Sequence, residues 1–154
     1  MPKLSFFIFF SLFVFSCSNE PSQKIIQGEI YGTTWQLKYF SDENEVPIKT
    51  LVVSELNRID KLFSHYKDDS LTTLINKNKI AYEDVTEEWK KLDRLGWYVH
   101  QQSNGYFNHK VLGDYDFNSF AKGYAVDKVS NILKANNINN FMVEIGGELR
   151  FEGL

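Results

Sequence analysis

The stretch that most constrains this chain reads Asp116-Phe117-Asn118-Ser119-Phe120-Ala121-Lys122-Gly123-Tyr124-Ala125-Val126-Asp127 and, one helix length later, Phe141-Met142-Val143-Glu144-Ile145-Gly146-Gly147. It predicts a buried strand, a tight polar turn, a helix whose first turn holds Ser119, Lys122 and Gly123, and a second apolar strand ended by a glycine pair. The start of such a helix has N–H groups without intrahelical partners and a partial positive charge, so a diphosphate finds donors already aimed at it. Ser119 is placed to cap the helix, Lys122 to reach the same anion, and Gly123 to admit a ligand close to the backbone. Gly146-Gly147 removes side chains where they would obstruct one. The same spacing also describes an ordinary strand–helix–strand crossover closed by a glycine turn, and spacing alone does not separate the two.

The chain opens on Lys3, then an apolar run from Leu4 to Phe15 too short to span a bilayer, then Ser16-Cys17. A small residue before a cysteine at that point reads as a lipoprotein cleavage site. Residues 1–16 are expected to be a signal peptide, Cys17 the lipidated N-terminus, residues 17–24 a polar tether and residues 25–154 one domain. A plain secretory signal with an incidental cysteine is the alternative. The first reading makes the protein an extracytoplasmic, membrane-anchored bacterial lipoprotein. Because Cys17 is the single cysteine, no disulfide framework exists. Without Lys3 the 17 basic residues become 16 against 20 acidic ones, a net charge of -4 that argues against nucleic acid as a partner. Aromatic residues make up 16% of the chain, enough to fill a modest core or to stack on a flat ring, and composition does not choose between those uses.

Ile25 to Tyr39 alternates in the strand manner, with Ile26, Ile30, Trp35, Leu37 and Tyr39 apolar around a break at Gly32-Thr33-Thr34, which predicts a hairpin or bulged strand pair. From Pro47 to Phe63, Ile48, Leu51, Val52, Leu56, Ile59, Leu62 and Phe63 recur at three- and four-residue spacing, which predicts an amphipathic helix. Thr86 opens a second helix, Glu87–Ser103, with Trp89, Leu92, Leu95 and Val99 as its apolar stripe, stopping near Asn104-Gly105. A third helix covers Ala121–Asn136. The fold class is therefore α+β: a mostly antiparallel sheet packed with about three helices. Its core draws on Trp35, Leu37, Leu56, Ile59, Leu92, Leu95, Val126, Val129, Leu133, Val143 and Ile145. His65, a lone loop histidine, reads as a surface residue rather than a general base.

Four stretches in this order resemble a known family. They are the opening around Tyr31-Gly32-Thr33, the run Arg58-Ile59-Asp60-Lys61-Leu62-Phe63-Ser64-His65-Tyr66-Lys67-Asp68-Asp69-Ser70-Leu71, the loop Asn104-Gly105-Tyr106-Phe107-Asn108, and the Asp116–Asp127 segment with Val143-Glu144-Ile145-Gly146-Gly147-Glu148-Leu149-Arg150. Together they resemble the FAD:protein FMN transferase (ApbE) family over almost all of the chain from Gly32 to Gly153. The resemblance implies a mixed α/β enzyme that binds FAD with Mg2+, splits the pyrophosphate, releases AMP and attaches FMN to a Ser or Thr hydroxyl of an acceptor flavoprotein. Carried over by position, Tyr31, Tyr66, Tyr106, Phe107, Asn108, Asp116 and Lys122 contact the flavin nucleotide, and Ser119 takes a metal-ligand position often held by Thr.

Several positions depart from the family's pattern. Tyr31 stands where the family has Met, so the flavin contact there becomes aromatic stacking or is lost. The family's Gly-Ala-Phe-Asp loop keeps only Gly105 and Phe107, with Tyr106 bulkier and Asn108 uncharged. An insert between that loop and Asp116 is missing, and family members continue well beyond the glycine pair to supply further metal ligands. Two readings follow: a shortened or C-terminally truncated family member, either a flavin-binding core or a fragment whose remainder is encoded elsewhere or was lost, with weak or no transferase activity, or a compact transferase in which Asp114, Asp127 or Glu148 replaces those ligands. A non-catalytic, lipid-anchored binding or scaffold module is a third, favoured by an edge strand at Glu148-Leu149-Arg150-Phe151 that is open to pairing.

Overall fold

The computed structural model describes residues 22–41 and 47–153. The segment read as a signal peptide, Cys17 and the first part of the expected tether lie outside these residues. Two long strands, β1 (Ser22–Ile30) and β2 (Thr33–Ser41), form the predicted hairpin in the register Ile30↔Thr33. The sheet thus takes in Ser22 to Lys24 as well. The turn is tighter than expected: Tyr31 and Gly32 alone make it, with φ of 54° and 69°, and Thr33 and Thr34 are already in β2. Two positive φ angles are what a two-residue connection matching the twist of its strands requires.

The four-stranded sheet has the order β1-β2-β5-β6, antiparallel throughout, with β5 at Phe141–Ile145 and β6 at Glu148–Glu152. Its buried face is built from cross-strand pairs, Trp35↔Ile145, Leu37↔Val143 and Tyr39↔Phe141, each of two buried side chains. Opposed apolar pairs of this kind are the unit of sheet stability. Against that layer pack α1 (Ile48–Phe63) and α4 (Ala121–Ala135). Between them in sequence come the short α2 (Leu71–Asn76), a single 3-10 turn at Tyr82–Asp84, α3 (Glu87–Gln102) and a small separate hairpin, β3 (Lys110–Val111) with β4 (Asp114–Tyr115). The architecture is the expected α+β fold with a mostly antiparallel sheet. The described residues form four α-helices rather than three, because Ser70 caps a six-residue turn by accepting the Thr73 N–H at 3.0 Å.

Three local expectations are corrected. The strand before α4 is β4, which among the described residues pairs only with β3, so β4–α4–β5 is not a crossover within one sheet. In α1, Leu51 is exposed and Leu62 half-buried, and the inward stripe is Ile48, Val52, Leu56, Ile59, Asp60 and Phe63. In α3, Leu95 is 48% exposed, and the buried face runs Trp89, Leu92, Asp93 and Gly96. The apolar pattern misled there because the helix turns a carboxylate and a glycine inward, toward a buried histidine. The remaining predicted core residues are all buried, joined by Phe117 at 0% exposure.

Candidate functional site

The edge of the β1–β2 hairpin, the C-terminal end of α1 and the opening of α4 meet around a cleft of about 240 Å³. Tyr31, Asp60, Ser64, Tyr66, Asn118 and Lys122 line it, and it continues as an open groove along the hairpin turn. Of the residues singled out from the sequence, Tyr31, Tyr66 and Lys122 come together here.

Each is held by identifiable bonds. The Tyr31 hydroxyl donates to the Leu56 carbonyl at 2.8 Å, which fixes a ring whose backbone sits in the left-handed region. A non-glycine residue there costs on the order of 1 kcal/mol, so this conformation is imposed by its surroundings. Burial, with Asp60 and Glu55 adding to it, pushes the Tyr31 phenol well above the ordinary tyrosine range and keeps the hydroxyl a donor. Tyr66 rides on the loop after α1, where Ser64 Oγ accepts from the N–H groups of Tyr66 and Lys67 at 3.2 and 3.3 Å. The same loop is tied to α1 by the Lys67–Asp60 ion pair at 2.5 Å. Asn118 Nδ2 reaches the Tyr66 hydroxyl at 3.4 Å and so spans the cleft from the α4 side.

The start of α4 differs in detail from the expected cap. Phe120 occupies the cap position and its side chain accepts nothing; Ser119 lies before it, exposed. The turn is closed instead by Asp116, whose Oδ1 accepts the Asn118 N–H at 2.8 Å. Phe117 O takes the N–H groups of Phe120 and Ala121, and Phe120 O that of Tyr124, leaving Lys122 and Gly123 as the open donors of this helix end. Gly123 has no atom within 4 Å of where a Cβ would stand. Lys122 Nζ donates to the Gly146 carbonyl at 3.3 Å, and no carboxylate among the described residues pairs with it. Gly146 is glycine for a protein reason: a Cβ there would lie 2.7 Å from Thr33 Cγ2 and 3.3 Å from Lys122 Cδ.

The other predicted site residues lie elsewhere. Asp116 faces a neighbouring depression with His65, Asn76 and Lys77. His65 Nδ1 lies 3.4 Å from Asp116 Oδ1 without hydrogen-bond geometry, and the imidazole packs against Tyr66 at a tilt of 37° with centroids 3.9 Å apart. Phe107 is half-buried against Phe120 at 5.9 Å. Tyr106 is 96% exposed, and the exposed Asn108 uses its Oδ1 to accept the Lys110 N–H at 2.9 Å. Neither Tyr106 nor Asn108 lines the cleft.

Asp60 escaped the sequence reading, although a carboxylate on the apolar face of an amphipathic helix signals a buried partner. The same signal marks Asp93 on α3.

Magnesium takes hard oxygen ligands, carboxylates among them. No group of three His, Cys, Asp or Glu residues stands together among the described residues, and Ser119 offers one exposed hydroxyl. Asp127 pairs with Arg150 at 2.6 Å, Asp114 sits on the β3–β4 hairpin and Glu148 is exposed on the edge strand, so the three suggested replacements do not converge. By themselves, the described residues do not fit a magnesium site.

Fold and cleft define an α+β domain with a cationic helix opening beside two tyrosines, a place for an anion attached to a flat ring. The family model described as ApbE family matches residues 31–113 and 114–154, and the chain belongs to the ApbE family. The FAD:protein FMN transferase of Buchnera aphidicola subsp. Schizaphis graminum is 25% identical over 196 residues, covering 92% of this chain and 58% of its own. That of Vibrio cholerae is 51% identical over 39 residues, which cover 25% of this chain and 12% of its own. Among solved structures, the apo flavinyl transferase ApbE of Pseudomonas stutzeri superposes with a TM-score of 0.76 at 24% identity, covering 87% of this chain and 62% of that one. The flavin transferase ApbE of Vibrio cholerae gives 0.75 at 21% identity, with coverages of 87% and 60%. The chain thus spans about three fifths of the length of these relatives. The family match breaks between Gly113 and Asp114, at the Leu112-Gly113 turn of the β3–β4 hairpin, where the sequence predicted a missing insert.

Proposed function

We propose that this chain binds FAD, with the diphosphate at the opening of α4 and the flavin ring between Tyr31 and Tyr66, and takes part in FAD:protein FMN transfer. The observation that carries the reading is Lys122: a cation without a carboxylate partner among the described residues, beside the open N–H groups of Lys122 and Gly123 and in one cleft with two tyrosines. A fixed cation and backbone donors at a phosphoryl group are what displacement at a diphosphate uses. Asp116 supports the site by shaping the turn that presents this helix end. In the transfer, a Ser or Thr hydroxyl of an acceptor flavoprotein would form the new bond to the FMN phosphorus and AMP would leave. The magnesium dependence expected for the family needs ligands beyond those the described residues assemble.

A second reading, flavin binding without transfer, is favoured by the described residues holding no group of three His, Cys, Asp or Glu side chains that could bind a metal ion. The Lys3–Cys17 segment supports an extracytoplasmic lipoprotein anchored at Cys17; lipid labelling abolished by Cys17→Ser tests that part. The main test is titration of the full chain with FAD and with riboflavin, followed by assay of AMP release and of FMN mass on a Thr-bearing acceptor peptide, with and without magnesium. Tighter binding of FAD than of riboflavin supports the cleft assignment. Added FMN mass supports transfer, and FAD binding without it selects the second reading. Equal affinity for both ligands, or binding of neither, sinks the proposal.

A further inference from the structure

Away from the residues that line the cleft is a polar cluster with a buried histidine and a buried carboxylate that the flavin reading does not use. His109 is 0% exposed and Asp93 is 3% exposed. His109 Nε2 and Asp93 Oδ1 are 2.8 Å apart, and the Tyr82 hydroxyl donates to the other carboxylate oxygen, Oδ2, at 2.9 Å. Because a carboxylate accepts, the shared proton belongs to Nε2. Nδ1 has no partner among the described residues, which suits a bare lone pair better than an orphaned N–H. The ring fits against α3 because residue 96 is glycine: a Cβ there would lie 2.5 Å from His109 Cγ and Nδ1. Edge contact with Trp97 at 5.2 Å and tilted contacts with Tyr115, Phe117 and Phe120 at 6.0 to 6.3 Å complete the enclosure.

A histidine locked this way also locks its own backbone, and that backbone touches the site. The His109 carbonyl accepts the Asp116 N–H at 2.8 Å. Asp116 then accepts the Asn118 N–H, and Asn118 reaches Tyr66. On the other side the Asn76 side chain clamps β4, donating to Tyr115 O and accepting the Tyr115 N–H, both at 2.9 Å. Phe117, whose carbonyl takes the first N–H groups before α4, packs against the His109 ring.

We propose that Tyr82, Asp93 and His109 form a positioning relay, buried at Asp93 and His109, that holds the Asp116 turn and the opening of α4 in register with the cleft. His109 and Asp93 are positioning residues, acting through the backbone of Asp116. The consequence for FAD rests on the flavin reading above, whereas the consequence for the turn does not.

The experiment compares Asp93→Leu, Asp93→Asn, His109→Phe and Tyr82→Phe in the full chain, by amide hydrogen exchange and by FAD and riboflavin titration. Asp93→Leu and His109→Phe should speed exchange of the hydrogen-bonded Asp116, Asn118, Phe120 and Ala121 amides by about tenfold or more while leaving β2 and β5 amides unchanged. They should weaken FAD binding by about tenfold and riboflavin binding by less than about threefold. Asp93→Asn keeps an acceptor for Nε2–H and should restore both readouts. Tyr82→Phe removes a hydroxyl from a partly exposed ring, leaves the core intact, and should give the same local change at smaller size. The proposal is overturned if exchange of the Asp116, Asn118, Phe120 and Ala121 amides in Tyr82→Phe and in whichever other variants fold stays at the wild-type rate, or rises only with the whole domain. Should the wild type bind no FAD, the flavin reading fails and the exchange comparison still decides the relay.

Discussion

The two segments flanking the β3–β4 hairpin both resemble stretches of the family, the first at only two of four positions, and the fold treats them differently. After the hairpin, Phe117 is fully buried and its neighbours are bound from several sides: Asp116 by His109, Tyr115 by Asn76, Lys122 by Gly146. Before it, the loop around Tyr106 stands in solvent, and the hairpin tip at Leu112 is fully exposed. One segment is placed by packing and presents donors to a cleft; in the other only Phe107 packs, against Phe120, and Tyr106 and Asn108 stay exposed away from the cleft. Resemblance in sequence marks both, and only the first is organised by the residues described.

The sharpest way to break this contrast is Phe117→Ala. Removing a buried aromatic ring costs about 3–5 kcal/mol, a large part of the roughly 5–15 kcal/mol that holds a domain of this kind together. Denaturant unfolding should show a correspondingly lower midpoint, and a loss below about 1 kcal/mol would mean the α4 opening is not anchored in the core. Next in size, Lys122→Ala should weaken FAD binding by about tenfold and riboflavin binding by less than about twofold, the signature of a lost charge-assisted contact to phosphate. Equal loss for both ligands in isothermal titration would move the diphosphate away from α4.

A smaller effect tests the polar seam joining α1, α3 and α4. The Glu88 carboxylate receives a bidentate Arg58 contact at 2.6 and 2.8 Å, a hydrogen bond from Tyr124, and Lys128 at 3.3 Å. The Arg58 hydrogen bonds come first among the causes that bring its pKa from 4.5 down to about 2. A depressed carboxylate pKa contributes stability above the unfolded value and loses it as pH falls through the folded one. Because Arg58 is 42% exposed, Glu88→Gln should cost only about 1 kcal/mol at pH 7. That difference should shrink from about pH 5 and vanish near pH 2, as read by urea unfolding across pH. A gap that persists at low pH would assign the cost to packing. Smallest of all, Tyr106→Ser should leave stability within about 0.5 kcal/mol and flavin affinity unchanged. A marked fall in flavin affinity would bring that loop back into the site.

Much of this was legible from residue patterns. Alternation marked the β1–β2 hairpin, three- and four-residue spacing marked α1, α3 and α4, and the glycine pair marked the β5–β6 turn. The errors have one cause: periodicity records which residues are apolar, and says nothing of a polar partner waiting inside. Leu95 was read as core because Asp93 and Gly96 look like surface residues until His109 is seen beneath them. Ser119 was read as the helix cap because its type and position suit one, whereas Asp116 closes the turn. In the cleft, Lys122, Tyr66 and Tyr31 were found by resemblance, while Asp60 and Asn118 emerged only when α1 and α4 were brought side by side.

By itself, then, the sequence determined the family, the α+β class and the helix opening with its lysine, because these rest on local order: residue words, periodicity and turn chemistry carried within short stretches. Tertiary structure decided which of those residues share a cleft, which acidic groups are buried, and that no magnesium ligand set forms among the described residues. Those outcomes depend on contacts between residues far apart in the chain, such as Tyr31 with Leu56 or Asn76 with Tyr115, and such contacts exist only once the elements have packed.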